Sequence, residues 1–359
     1  MAKRMIIPFG PQHPVLPEPL HLDLVLEDEK VVEAVPSLGF VHRGLERLAE
    51  KKDFNDLVFV AERICGICSA IHGQSYCTTV EALMGVECPE RANWLRAFWG
   101  ELSRIHSHVL WLGLFADSFG FESLFMHSWR LRERILDIAE ETAGGRVIFG
   151  ATKIGGVNRD VLNEDLKRLG PELRSVEREL RGICRVFEED ASVKRRLVGV
   201  GFLSKESAAS LGAVGPTARA SGIAWDARKL GYAAYGQLQW ETVTADSCDC
   251  YGRCMVRVKE LWMSFDMIYQ VIDRIPDGPV EVKVNGFPNG ECFGRFEQPR
   301  GEVVYYVKGN GTKYLQRFRV RTPTFANIPS LVTMLQGCDL SEVPVITLCI
   351  DPCISCCER

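Results

Sequence analysis

The sequence lacks a long apolar run. No stretch approaches the roughly 18 uncharged apolar residues that suggest a membrane-spanning helix. The best candidate, residues 109–121, is too short and contains Asp117. A role at a membrane would therefore be reached by docking on other subunits. The opening Met1-Ala2-Lys3-Arg4-Met5-Ile6-Ile7-Pro8 has charge but no apolar h-region, so it does not read as a signal peptide. Internal repeats, low-complexity tracts and flexible linkers are also missing. A basic excess is missing too: the formal net charge of −4 gives no electrostatic reason to expect nucleic acid as a partner. The 46% hydrophobic and 25% charged fractions are those of an ordinary globular chain able to bury a large core.

What the sequence does have is cysteine, 14 in all. Without a secretion signal these read as reduced thiols in the cytoplasm, some of them metal ligands. Four stand out. Arg63-Ile64-Cys65-Gly66-Ile67-Cys68 is followed by His72, and Asp351-Pro352-Cys353-Ile354-Ser355-Cys356 lies near the other end of the chain. Each is a C-x-x-C, a spacing that lets two thiolates converge on one metal. Four thiolates select zinc, nickel or iron–sulfur chemistry over magnesium or calcium. A structural zinc is the plain alternative. However, zinc ribbons are usually local in sequence, whereas these pairs would tie the two ends of a large fold together.

Periodicity predicts a mainly helical α+β chain. Leu20–Leu26 alternates, and Val31–Val35 follows an acidic turn, which together predict a hairpin after an irregular, proline-rich 1–19. Residues 44–144 read as helical. They include a long central helix from Pro89 to about Phe119 and a second over 123–142, stopped by Gly144-Gly145. A glycine-rich loop (145–159), a charged amphipathic helix (160–190), loops with short helices (199–222) and a helix over 254–275 follow. Strands are predicted at 280–284 and 303–307, the second closed by Gly309-Asn310-Gly311, and a helix at 324–336. Arg104 and His108, at i and i+4 of the central helix, predict a buried polar network with His106 nearby. Cys248, Cys250 and Cys254 suit an accessory metal, or are small buried hydrophobes. No spacing suggests an iron–sulfur relay within the chain.

R-x-C-G-x-C-x-x-x-H and D-P-C-x-x-C resemble the two signature motifs of the nickel–iron hydrogenase large subunit. Gly10-Pro11-Gln12-His13-Pro14, His42-Arg43-Gly44-Leu45-Glu46 and Leu102-Ser103-Arg104-Ile105-His106-Ser107-His108 are similar to its energy-converting, membrane-associated branch. That branch includes the carbon monoxide-induced type and is related to the quinone-site subunit of respiratory complex I. The resemblance covers most of the chain. It implies the large-subunit fold: a central bundle of long helices with small peripheral β-sheets, and a single integrated domain over 1–359. In it, segments 1–90 and 290–359 meet at the metal.

The resemblance also implies the site. Cys65 and Cys353 would be terminal nickel ligands, and Cys68 and Cys356 would bridge nickel to an iron carrying carbon monoxide and cyanide. His72 would hydrogen-bond a bridging sulfur, as outer-shell partners do. Arg300, in Pro299-Arg300-Gly301, would face one cyanide, and Thr324 of Pro323-Thr324 would offer a hydroxyl to the other. By composition Glu18, between Pro17 and Pro19, is a solvated loop residue; by resemblance it is the proton-shuttling glutamate. Arg63 and Asp351 flank the ligands, placed to pair with buried partners. Glu46 matches a ligand for an extra magnesium or iron ion, although the histidine usual beside it is Arg359 here. The implied function is reversible proton reduction and H2 oxidation. Electrons would pass through an iron–sulfur small subunit, which holds the clusters, to a ferredoxin-type carrier. Membrane subunits would translocate ions, maturation proteins would build the centre, and the complex would sit on the cytoplasmic face of the membrane. The alternative is a metal-free quinone-site subunit like that of complex I, in which this quartet of cysteines is not kept.

Overall fold

Leucines at every second position make a strand with one apolar face. In the computed structural model, which describes residues 4–359, β1 (Arg4–Phe9), β2 (His21–Glu27) and β3 (Lys30–Ser37) form an antiparallel sheet in that order. Leu22, Leu24 and Leu26 point into the core. The predicted hairpin is β2–β3. β1 falls in the stretch expected to be irregular: it is a largely exposed edge strand with Pro8 inside it, so it carries no alternation to read. The first three residues of that stretch lie outside the described residues.

The next hundred residues are helical. They form α1 (Leu45–Ala49), α2 (Leu57–Glu62), α3 (Ser69–Met84), α4 (Glu90–Ser118) and α5 (Glu122–Ala143). α4 is buried around its whole circumference from Arg91 to Leu112, Asn93 excepted, as a helix apolar on several sides should be. α5 ends where expected, at Gly144 with φ +94°. The glycine-rich loop holds a minimal hairpin, β4 (Thr152–Lys153) and β5 (Gly156–Val157). Then come α6 (Asn163–Glu189), α7 (Ala191–Leu197), α8 (Lys205–Ser210), α9 (Gly215–Arg219) and α10 (Cys250–Arg274). α10 packs along α4.

A second antiparallel sheet, β6 (Asn289–Gln298), β7 (Gly301–Asn310) and β8 (Leu315–Arg321), precedes α11 (Pro323–Leu335), α12 (Val343–Cys349) and α13 (Ile354–Glu358). The strand expected at 280–284 is a correction: only Glu281 pairs, in one bridge to Gly156. β7 pairs with β8 on one side and on the other with β6, whose glycines and charges hide its periodicity. Gly294 is needed there, because a Cβ would lie 2.2 Å from Thr79 Oγ1 of α3. Two apolar clusters result. One surrounds α4, α5, α6 and α10. The other lies between α2, α3 and the second sheet, and it contains Cys65, Cys68, Cys353 and Cys356.

Candidate metal centre

Both cysteine pairs sit at helix starts. Cys68 is the N-cap of α3 and Cys353 the N-cap of α13, with Cys356 in the first turn. The chain reaches α13 through Asp351 at φ +55°, a left-handed conformation that Asp tolerates better than most side chains. The four sulfurs meet. Cys65 Sγ lies 3.3 Å from Cys353 Sγ, and Cys68 Sγ lies 3.6 Å from Cys356 Sγ. All four residues are at most 3% exposed. Cys65, Cys68 and Cys356 alone among the described residues offer ligand atoms close enough together to hold one metal ion.

The two chain ends are clipped together around this point. The Arg43 guanidinium donates to the carbonyls of Arg63 (2.9 Å), Ile64 (2.8 Å) and Ser355 (2.9 Å), spanning both motifs. The Glu358 carboxylate accepts from the N–H groups of Gly39 (2.6 Å) and Val41 (2.5 Å). Thr322 Oγ1 donates to the Cys356 carbonyl at 3.2 Å.

Each residue singled out in the sequence has a definite place here, Arg63 excepted. His72 Nε2 is 3.4 Å from Cys356 Sγ, and its Nδ1 is 2.5 Å from Tyr305 Oη. Burial pushes the imidazole down to about 3, so it is neutral. Arg300, 3% exposed, donates to the Asp351 carbonyl (2.9 Å), to Asp351 Oδ1 (2.8 Å) and to Ser107 Oγ (3.3 Å). Thr324 Oγ1 accepts from the Cys353 N–H at 3.0 Å, which leaves its own hydrogen to donate, and Pro323 opens α11. Glu18 accepts from the N–H groups of Ile354 and Ser355, beside Cys353. Burial, then the Cys353 sulfur, pushes its carboxyl up to about 8. It lines an open pocket of about 450 Å³ formed by the loop between residues 11 and 19. Arg63 points outward and donates to the Phe59 carbonyl at 2.9 Å, so only Asp351 of the flanking pair has the buried partner expected.

The donor set fits a soft metal. For Cys68, burial raises the thiol, but hydrogen bonds from Cys356 and Cys65 and the charge of Arg300 win and hold it near 6. Cys353 is raised to about 11 and Cys356 well above the ordinary thiol range, so without a cation these two keep their protons. A metal ion would displace them.

Glu46 is already engaged. Its carboxylate accepts from Val320 N–H (3.0 Å), from Arg359 Nε (2.8 Å) and from Arg319. Two guanidinium groups stand where the extra cation was expected.

The sequence matches the nickel-dependent hydrogenase family over residues 43–115. It matches the family described as the respiratory-chain NADH dehydrogenase 49 Kd subunit over 118–287 and 282–359. It is 38% identical to the membrane-bound hydrogenase subunit alpha of Pyrococcus furiosus, over 98% of this chain and 87% of that one. The chain belongs to the family that joins such hydrogenase subunits to the 49 Kd subunit. The carbon monoxide-induced hydrogenase of Rhodospirillum rubrum, another relative in this family, is also 38% identical, over 98% and 99% of the two chains. The α+β fold expected is the family's as well. A solved structure titled as the membrane-bound sulfane sulfur reductase, an archaeal respiratory membrane complex, superposes at TM-score 0.94 with 29% identity, over 99% of this chain and 98% of that one. No helix among the described residues is long and apolar enough to cross a membrane.

Sequence reasoning missed Tyr305 and Ser107, which touch His72 and Arg300. Neither lies near a cysteine in sequence, and the sequence marks Tyr305 only as part of the strand at 303–307. Arg104 and His108 do enter a buried network. Glu101 accepts from Arg104 (3.2 Å), Arg228 (3.0 Å), Tyr235 (2.7 Å) and Ser264 (2.6 Å). Glu260 pairs with His108 (2.9 Å) and Arg219 (2.7 Å). Arg219 reaches Glu297 at 2.7 Å. Cys250 and Cys254 are buried and Cys248 is partly exposed, and they form no shared ligand site; Cys250 lies instead beside Arg253 and Cys349.

Proposed function

We propose that this chain is the catalytic subunit of an energy-converting nickel–iron hydrogenase, interconverting 2H⁺ + 2e⁻ and H2. The observation that supports this reading is the meeting of two cysteine pairs from opposite ends of the chain in one buried pocket. Cys65 and Cys353 would hold nickel, and Cys68 and Cys356 would bridge it to iron. When bound, that pair of metals, with carbon monoxide and cyanide on the iron, supplies the redox chemistry on hydrogen. The chain's own groups supply the rest. Arg300 brings a buried positive charge, and its pairing with Asp351 fixes its direction. Thr324 keeps a hydroxyl hydrogen free at the same wall. Glu18, next to Cys353 and open to a pocket, can take a proton from the site and release it outward, since its raised affinity lets it hold one near neutral pH.

On this reading, residues 1–359 act as one integrated unit. An iron–sulfur small subunit carries electrons to a ferredoxin-type carrier, ion-translocating membrane subunits anchor the complex on the cytoplasmic face, and maturation proteins load the centre. A second reading, a metal-free quinone-site subunit, is favoured by the long match to the 49 Kd family. Infrared spectroscopy and metal analysis of the anaerobically purified complex separate the two. Narrow bands of iron-bound carbon monoxide and cyanide with stoichiometric nickel are expected. Zinc alone, or no metal together with quinone reduction, would end the hydrogenase reading.

A further inference from the structure

His72 bridges two partners, Cys356 Sγ at Nε2 (3.4 Å) and Tyr305 Oη at Nδ1 (2.5 Å). All three residues are at most 1% exposed. A neutral imidazole has one N–H and one bare nitrogen, so only two arrangements exist. In the first, Nδ1–H donates to the tyrosine oxygen and bare Nε2 faces the sulfur, which must then carry a proton. In the second, the Tyr305 O–H donates to Nδ1 and Nε2–H donates to the sulfur. A thiolate that binds metal has no proton to give, so only the second suits a loaded centre. We propose that Tyr305 is a positioning residue whose hydroxyl locks His72 in the Nε2–H form and so sets the electron density on the Cys356 sulfur. This rests on the metal-centre reading.

The fold holds Tyr305 to this task. It sits on β7, fully buried, edge-on to His72 (61°, centroids 6.0 Å apart) and to Phe318 (72°, 5.8 Å). Phe318 is in turn braced by Tyr76. Among the described residues, the tyrosine hydroxyl has His72 as its hydrogen-bond partner and no other. A donor at Nδ1 polarises the ring and strengthens the Nε2–H bond to sulfur, as linked hydrogen bonds do.

Two readouts on the purified complex test this. Nitrogen-15 NMR of histidine-labelled protein should show His72 protonated at Nε2 in the wild type and a mixture of tautomers in Tyr305→Phe. The infrared carbon monoxide band should move to lower wavenumber in Tyr305→Phe, because a less hydrogen-bonded sulfur donates more charge to iron. The same substitution should add no shift in a His72→Ala background. Phe318→Leu, which loosens the packing but keeps the hydroxyl, should leave tautomer and band as in the wild type. A wild-type proton on Nδ1 would overturn the proposal, as would an unaltered Tyr305→Phe, or a Phe318→Leu that reproduces the Tyr305→Phe changes. Absence of carbon monoxide and cyanide bands in the wild type would instead remove the metal reading, and the nitrogen shifts would still decide the tautomer.

Discussion

Two of the polar clusters in this interior differ in how far each completes itself. Around α4 and α10, the carboxylates of Glu101, Asp226, Glu260 and Glu297 each meet a guanidinium of Arg104, Arg219 or Arg228. At the chain ends, four thiols meet chiefly one another, with Arg300 alongside. A buried cluster whose carboxylates are each paired with a cation needs no further charge, whereas a buried cluster of thiols has ligand capacity left over. The first also serves the second. Arg104 donates to the carbonyls of Glu297 (3.0 Å) and Gln298 (3.1 Å), and so holds the β6–β7 turn that presents Arg300.

The comparison predicts opposite kinds of failure. The largest effect is expected from Cys353→Ser. It should abolish nickel binding and hydrogen-dependent activity while leaving the unfolding of the metal-free chain within about 1 kcal/mol of wild type, since Ser is a near-isostere. Retained nickel and activity would remove Cys353 from the ligand set. Glu260→Gln should do the reverse. It leaves Arg219 and His108 short of a buried anion, and breaking such a cluster costs about 3–5 kcal/mol. Urea denaturation measures it, and a loss below about 1 kcal/mol would mean that the cluster is not holding the core.

The thiol pocket was legible in the sequence because its ligands come as C-x-x-C pairs with distinctive flanks. α5 was legible because burial of one face imposed a period over many turns, and α4 because a long apolar stretch follows the helix-starting Pro89. The rest was hidden for physical reasons. β6 pairs through its backbone, and its glycines and charged residues interrupt any apolar alternation. The partners of Arg104 come from Glu101 on its own helix and from β6, and nothing in local spacing announces the second. Arg43 works through carbonyl groups, which every residue has.

Two acids, Asp226 in the charge cluster and Glu18 beside the thiols, should titrate in opposite senses. Asp226 is buried, which alone would raise it, but Arg228 and Arg219 hold it at about 2 against 3.8 unfolded. Its contribution is present above pH 3.8 and is lost as pH falls toward 2. Glu18, raised by burial to about 8 against 4.5, contributes fully below pH 4.5, and that contribution is lost as pH rises through 8. Metal-free protein should therefore lose stability as pH falls below 3.8 and again as pH rises from 4.5 to 8. Over that second range Glu297, pushed up to about 7 by burial and Asp226, adds to the loss, and Glu18→Gln should reduce only this second slope. The slope from one such group is at most about 1.4 kcal/mol per pH unit. A slope between pH 4.5 and 8 unchanged in Glu18→Gln would show that the carboxyl is not held in its protonated form.

The smallest effect is expected at Glu46, between the two extremes. Its carboxylate has cationic partners in Arg319 and Arg359, as the charge cluster does, yet it sits beside the chain end of the thiol pocket. If the guanidinium groups serve in place of a cation, Glu46→Gln should leave the metal content unchanged and cost about 1 kcal/mol or less, because Arg319 is half exposed and such pairs are screened. Added magnesium should not shift the unfolding midpoint of the wild type, since a ligand stabilises only what it binds. A magnesium-dependent midpoint that vanishes in Glu46→Gln would show that the arginines swing aside for an ion. Glu46 would then belong with the thiols, as a place the chain leaves for a metal to fill.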